Sequence, residues 1–326
     1  MKKIANPETT KSDDCSGSEP YIDLGQDKLL ISDLARLCTN ALETGFDVEA
    51  AQRLISANNI APPKAASVLE NWPWPLRVYS LGQFSIQIDG RPLQFLGKAP
   101  IKQLQLLKVL VAFGETDVSK EQLTQILWPD SEGDDAQRAL STTLYRLRQL
   151  VGSSVVNQSQ GKLSLSQTHC WTDKRCMDAY LLEASQCIKQ NKLAEAWSNT
   201  DKALALYRGP FYSYGSSSWE LSVSERIRRK LLNHIDQLGA QLIDNHYYEL
   251  AIQTYMKGIE IDELQEMFYQ GAIRCYKQMG CDAEAYSIYK QCKTVLTSVL
   301  GIMPSTQTLE LINSSAIQTE TSVPNK

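Results

Sequence analysis

The sequence predicts a mainly α protein in which a small α+β unit is followed by an all-α array of paired helices. Three observations carry this expectation. Strand-like alternation and hairpin turns are confined to two stretches, around 76–95 and 155–165, with helix-period patterns between and beyond them. The run from Asp134 to Val151 sets Ala136, Leu140, Leu144, Leu147 and Val151 on one stripe of a helix, and that stripe must be buried. Beyond Trp171 the helical pattern continues to the end, and Ala251 and Ala285 open similar helices 34 residues apart.

A chain of 326 residues with 43% apolar content has room for about two ordinary domains with real cores. The Met-Lys-Lys start leads into Ile-Ala-Asn-Pro-Glu rather than an apolar run. No later segment approaches a membrane span of about 18 apolar residues, so a soluble, cytoplasmic protein is expected. The eight cysteines are scattered without a Cys-x-x-Cys pair, and most sit in helix-like patterns, which predicts reduced thiols. His169, Cys170 and Cys176 come nearest to a metal cluster but lack a second ligand pair at zinc spacing, so neither metal nor cofactor is expected. A Gly-x-x-x-x-Gly-Lys-Ser/Thr loop is absent, and His169, His234 and His246 lie in no nucleophile or carboxylate constellation; the chain does not read as an enzyme. The net charge of −4 argues against a protein that coats nucleic acid indiscriminately. Residues 76–168 nevertheless carry ten basic side chains against eight acidic ones, which leaves a local site open.

Taken in order, residues 1–27 are polar and read as a disordered tail. Residues 28–75 hold a short helical hairpin, interrupted at Gly45, and then a strap with Pro62-Pro63 and Trp72-Pro73-Trp74-Pro75. Alternate prolines keep that strap extended, so it reads as a linker at a domain boundary.

Residues 76–168 form the α+β unit. Val78, Phe84, Ile86 and Ile88 show the strand period, and Asp89-Gly90 is a strong hairpin turn. Pro100 opens a helix that Gly114 ends; Ser119 N-caps the next, with Gln122 three residues on, and Pro129 stops it. The helix at 136–151 follows, then a hairpin over 155–165 with its turn at Gln158 to Gly161. At about 100° per residue, the side of that helix opposite the buried stripe presents Arg138, Thr142, Tyr145 and Gln149, flanked by Ser141, Arg146 and Arg148. It carries no acid. Asp130, Glu132, Asp134 and Asp135 gather instead at the amino end, where they meet the helix dipole and offer N-cap side chains. Sheet, three helices and hairpin is the order of a helix-turn-helix whose second helix enters the major groove of DNA and whose hairpin lies along neighbouring phosphates.

Residues 169–312 read as stacked helix pairs. Lys192-Leu-Ala-Glu-Ala196, Tyr247-Tyr-Glu-Leu-Ala251 and Cys281-Asp-Ala-Glu-Ala285 each join a small residue to nearby aromatics, as in tetratricopeptide repeats, and three pairs make a minimal solenoid. The basic run Arg226, Arg228, Arg229 and Lys230 reads as a solvated face, and residues 313–326 as a second disordered tail.

Leu81-Gly82-Gln83-Phe84, Val118-Ser-Lys-Glu-Gln-Leu123, Leu127-Trp128-Pro129-Asp130 and Leu144-Tyr145-Arg146-Leu147-Arg148 resemble the OmpR/PhoB-type winged helix of bacterial activators of the SARP class. Ala205-Leu-Tyr-Arg-Gly-Pro-Phe211, Ile259-Glu-Ile-Asp262 and Leu300-Gly-Ile-Met-Pro-Ser-Thr306 resemble the bacterial transcriptional activator domain that follows it in such regulators. The resemblance implies an α+β winged helix followed by an all-α TPR-like solenoid, with 136–151 as recognition helix and 155–165 as wing. It implies a sequence-specific DNA-binding transcriptional regulator, an activator, that binds double-stranded DNA and no membrane, and whose helical stack binds either a second copy of itself or RNA polymerase, or senses a ligand in its concave face. Arg138, Thr142 and Tyr145 would then lie nearest the groove floor, Gln149 and the flanking Ser141 would also contact DNA, Arg146 would meet phosphate, and Arg148, Lys162, Lys98 and Lys102 are further phosphate candidates. The alternative is a TPR-type interaction adaptor whose winged helix no longer binds DNA, since Lys162 is the one base of the hairpin.

Overall fold

The computed structural model describes residues 28–95, 97–113, 117–213 and 217–313. The expected tails at 1–27 and 314–326, and Gly114 as a helix stop, lie outside the described residues. Asn313, read above as tail, is the last residue of a helix. The chain divides into two units between Pro73 and Trp74, inside the Trp-Pro-Trp-Pro motif.

In the first unit, α1 (Lys28–Thr44) packs on α2 (Val48–Ala57), and Ala35, Cys38, Leu42, Ala51 and Ile55 are buried. The strap after them does not run free. Asn71 Nδ2 donates to the Leu42 carbonyl (2.9 Å), and Gln52 Nε2 donates to the Asn71 carbonyl (2.6 Å). Prolines fix φ but leave the Asn71 amide able to bond back to the hairpin.

The second unit opens with a four-stranded sheet in the order β3-β2-β1-β7. β1 (Leu76–Tyr79), β2 (Ser85–Ile88) and β3 (Arg91–Pro92) form the antiparallel part, and Asp89 (φ 46°) and Gly90 (φ 75°) make the two-residue turn between Ile88 and Arg91. β7 (Cys170–Thr172) lies parallel to β1, with Leu76 opposite Cys170 and Val78 opposite Thr172. This corrects the expectation that the chain is helical from Trp171. Three residues are too few to show a period, and all three are buried.

Between β3 and β7 lie α3 (Ile101–Phe113), β4 (Val118–Ser119), α4 (Lys120–Leu127), α5 (Gly133–Val151), β5 (Val156–Ser159) and β6 (Lys162–Leu165). α3 is apolar nearly all round and buries Leu106, Leu107, Val109 and Leu110 completely, as the central helix of a small domain does. Ser119 caps α4 by accepting the Gln122 amide (3.1 Å). The wing is three-stranded, in the order β4-β6-β5, and Gln160 (φ 46°) and Gly161 (φ 76°) turn the chain between Ser159 and Lys162.

The helical part is a stack of three pairs: α6 (Asp173–Lys189) with α7 (Leu193–Leu206), α8 (Ser218–Asp244) with α9 (Tyr248–Ile261), and α10 (Glu266–Gln278) with α11 (Asp282–Val295). α12 (Thr306–Asn313) packs on the last pair. One apolar core runs from Leu76 and Leu110 through Met177 and Leu181 of α6 to Ala203 of α7 and Ile227 of α8. The winged helix and the first helices of the stack therefore share an interior.

Two polar features lock that junction. Asp173, the first residue of α6, accepts the Ser80 amide (2.7 Å), the Ser80 hydroxyl (2.6 Å), the Leu81 amide (2.9 Å) and its neighbour Lys174's amide (2.7 Å). Burial raises this carboxyl above its usual range, and those donors pull against the shift. The loop after α7 also pairs with the β1–β2 turn. Gly82 N–H donates to the Pro210 carbonyl (3.1 Å), Tyr212 N–H to Ser80 (3.0 Å) and Ser213 N–H to Gly82 (3.0 Å), with Leu81 bridged to Phe211.

Farther along, glycines inside helices let aromatic rings approach. A Cβ on Gly239 of α8 would lie 2.4 Å from the Tyr255 ring, and one on Gly271 of α10 would lie 2.5 Å from its other side. Gly239→Ala should therefore destabilise the fold by about 1–3 kcal/mol, read as a lower urea midpoint. His234 of α8 is buried, 2.8 Å from Thr200 Oγ1 of α7, and burial pulls its imidazole from 6.5 down to about 4. The fold keeps the neutral ring while the unfolded chain takes up a proton, so this contribution is complete above the unfolded value. It is lost as pH falls from about 6.5 toward about 4, amounting at most to about 3 kcal/mol. His234→Gln should flatten that part of the stability–pH curve, measured by chemical denaturation.

Candidate nucleic-acid interface

α5 is built by its sequence into two unlike faces. Ala136, Leu140, Leu144, Leu147 and Val151 are all buried as their spacing requires, and Thr143 joins them. Gln137, Arg138, Ser141, Thr142, Tyr145, Arg146 and Gln149 are exposed, and Tyr145 keeps 65% of its surface. Arg138, Thr142, Tyr145 and Gln149 fall within a sector of about 60°. At 19 residues the helix is about 28 Å long, enough to cross a major groove about 12 Å wide with several side chains reaching it.

The amino end departs from expectation in one respect. Glu132 is the N-cap residue, and its side chain makes no capping bond. Asp135 is turned instead toward Arg138 (2.7 Å), in a pair more than two-thirds exposed on both sides. Exposed pairs of this kind are worth at most about 1 kcal/mol, so Arg138 can exchange its partner for a phosphate or a base edge at little cost. Ser141 donates to the Gln137 carbonyl (2.9 Å) and stays exposed.

Two of the ten candidate residues are occupied inside the protein. Arg148 sits about 90° from the centre of the exposed sector. Its guanidinium donates through Nη2 to the Val156 carbonyl of β5 (2.9 Å), which ties α5 to the wing. Lys102 of α3 reaches the end of α4, where Nζ donates to the Leu127 carbonyl (2.9 Å) and lies 5.2 Å from the Trp128 ring centre. A cation at a helix C-terminus meets the negative end of the dipole, so Lys102 fixes the turn between α4 and α5. Lys162 at the wing tip and Lys98 before α3 are exposed.

The basic run on α8 is not a free face either. Arg228 bonds Glu225 (3.0 Å) and Asp262, and Lys230 bonds Asp178. Burial alone would raise the Asp178 carboxyl, but Lys174 (3.0 Å) and Lys230 hold it below its usual range. Arg226 lies 5.7 Å from the Phe113 ring.

Fold and site together define a winged helix set rigidly on a tetratricopeptide-like stack. Residues 172–314 match the family model of the bacterial transcriptional activator domain, beginning at Thr172, the N-cap of α6. No curated protein matches the chain. Among solved structures it is similar to Mycobacterium tuberculosis EmbR in complex with a low affinity phosphopeptide, at 21% identity and a TM-score of 0.54 over 73% of this chain. At that identity the likeness is one of fold, and this chain spans 64% of that one. No described helix is long and apolar enough to cross a membrane.

Replacing Arg148 leaves the Val156 carbonyl without its donor and slackens the wing. Arg148→Met should lower stability by about 1–2 kcal/mol in urea titration.

Proposed function

We propose that this chain is a sequence-specific DNA-binding transcriptional activator that lays α5 in the major groove. The observation that carries the reading is the exposed sector of α5, acid-free beyond its first turn and held in place by internal use of Arg148 and Lys102. Arg138, Thr142, Tyr145, Gln149 and Ser141 face the bases, while Arg146, Lys162 and Lys98 meet phosphates. The helical stack serves a second copy of the chain or RNA polymerase. A helix-turn-helix reads a half-site, and two copies would read two.

The test is fluorescence anisotropy of the full chain against fragments of its own upstream region and a random control, from about 50 to 200 mM salt. One fragment should hold against competitor with a steep salt slope. Arg138→Ala and Gln149→Ala should each cost about 1–3 kcal/mol and relax preference at one base pair. Lys162→Ala and Arg146→Ala should instead lower the salt slope by about 1 each. Absence of binding at the lowest salt would sink the reading and leave the interaction adaptor in its place.

A further inference from the structure

The loop that grips the β1–β2 turn also walls a cleft of about 430 Å³ between α7, α8 and α9. Leu204, Ala205, Pro210 and Ile261 supply apolar lining. Of the charged groups around it, Arg228 is held by Glu225 and Asp262, and Lys257 by Glu260 (2.9 Å). Two are left over. Among the described residues the Arg208 guanidinium meets only the Tyr79 ring, 5.5 Å from its centre, and the Asp201 carboxylate makes neither an ion pair nor a hydrogen bond. Seven positions separate them, five within α7 at about 1.5 Å each and two in the extended backbone after it at up to about 3.3 Å each, so they lie roughly 10–14 Å apart.

Opposite charges without partners, with Leu204 and Ala205 between them along the chain, fit a molecule that carries the same pair reversed. We propose that this cleft binds a small zwitterion with an apolar body about 10 Å long, the class of a short unblocked apolar peptide. Its carboxylate meets Arg208, its ammonium group meets Asp201, and its side chains lie on Leu204, Ala205 and Ile261. The position matters for the rest of the molecule. The Arg208 amide donates to the Leu81 carbonyl (3.3 Å), and two residues on Pro210 accepts from Gly82, so a ligand on Arg208 braces the segment that docks the winged helix. The loop is held in uncommon backbone conformations at Gly209 (φ 151°) and Tyr212 (φ 51°), which such bracing would support.

Isothermal titration of the full chain with trileucine tests this, because its termini lie about 10 Å apart when extended. Binding at or below about 1 mM is expected, with affinity at least about tenfold weaker in Arg208→Gln and in Asp201→Asn. Both side chains are exposed, so the unfolding temperature of each variant should match the parent. N-acetyl-trileucine amide, tested on the unaltered chain, should give no heat. Equal binding of the blocked peptide, unchanged affinity in both variants, or no binding of trileucine at about 1 mM overturns the proposal. No DNA is present in this experiment, so its failure leaves the reading of α5 untouched.

Discussion

The carboxylate of Asp173 is the joint on which the molecule turns. Four donors converge on it, three of them from Ser80 and Leu81 in the turn after β1. A buried carboxylate is costly unless its lone pairs are filled, and here they are filled only if α6 starts at the edge of the sheet. The residues just before it run as β7 beside β1, and the loop after α7 closes over the far side of the same turn. One constraint thus fixes sheet, stack and loop together, and the shared core fills in behind it.

The exposed sector of α5 owes its character to what happens out of sight. Two of the cations around it are spent on carbonyls: Arg148 on the wing and Lys102 on the end of α4. Those bonds hold α4, α5 and the wing in one arrangement, and they leave Arg138, Arg146 and Lys162 facing water. A site assembled from rigid elements presents its groups in register before any ligand arrives, and little ordering entropy remains to be lost on binding.

Much of this was legible in the sequence because helical stripes are local. The five apolar positions of α5 were fixed by spacing alone, and the Asp89-Gly90 turn by its dipeptide. What stayed hidden depends on partners far along the chain. Ser80 and Asp173 are 93 positions apart, and no local pattern brings them together. β7 has three residues and takes its identity from β1. Lys102 and Arg148 look like surface cations by type, and only the fold shows that each has a carbonyl within reach. The basic run of α8 is solvated at Arg226, Arg229 and Lys230, as its sequence reads, but the ion pairs of Arg228 with Asp262 after α9 and of Lys230 with Asp178 of α6 were beyond local pattern.

The parallel pairing of β1 with β7 has a consequence for where the chain can be divided. The boundary that composition suggests, near residue 168, falls before β7. A fragment cut there would keep all three helices and the wing but lose the outer strand of its sheet. β1, with Leu76 and Val78 fully buried in the intact chain, would become an open edge with unpaired amides and carbonyls. Such an edge recruits strands from other molecules. The helical stack thus covers the open edge of the winged helix, and the two have to be expressed as one piece.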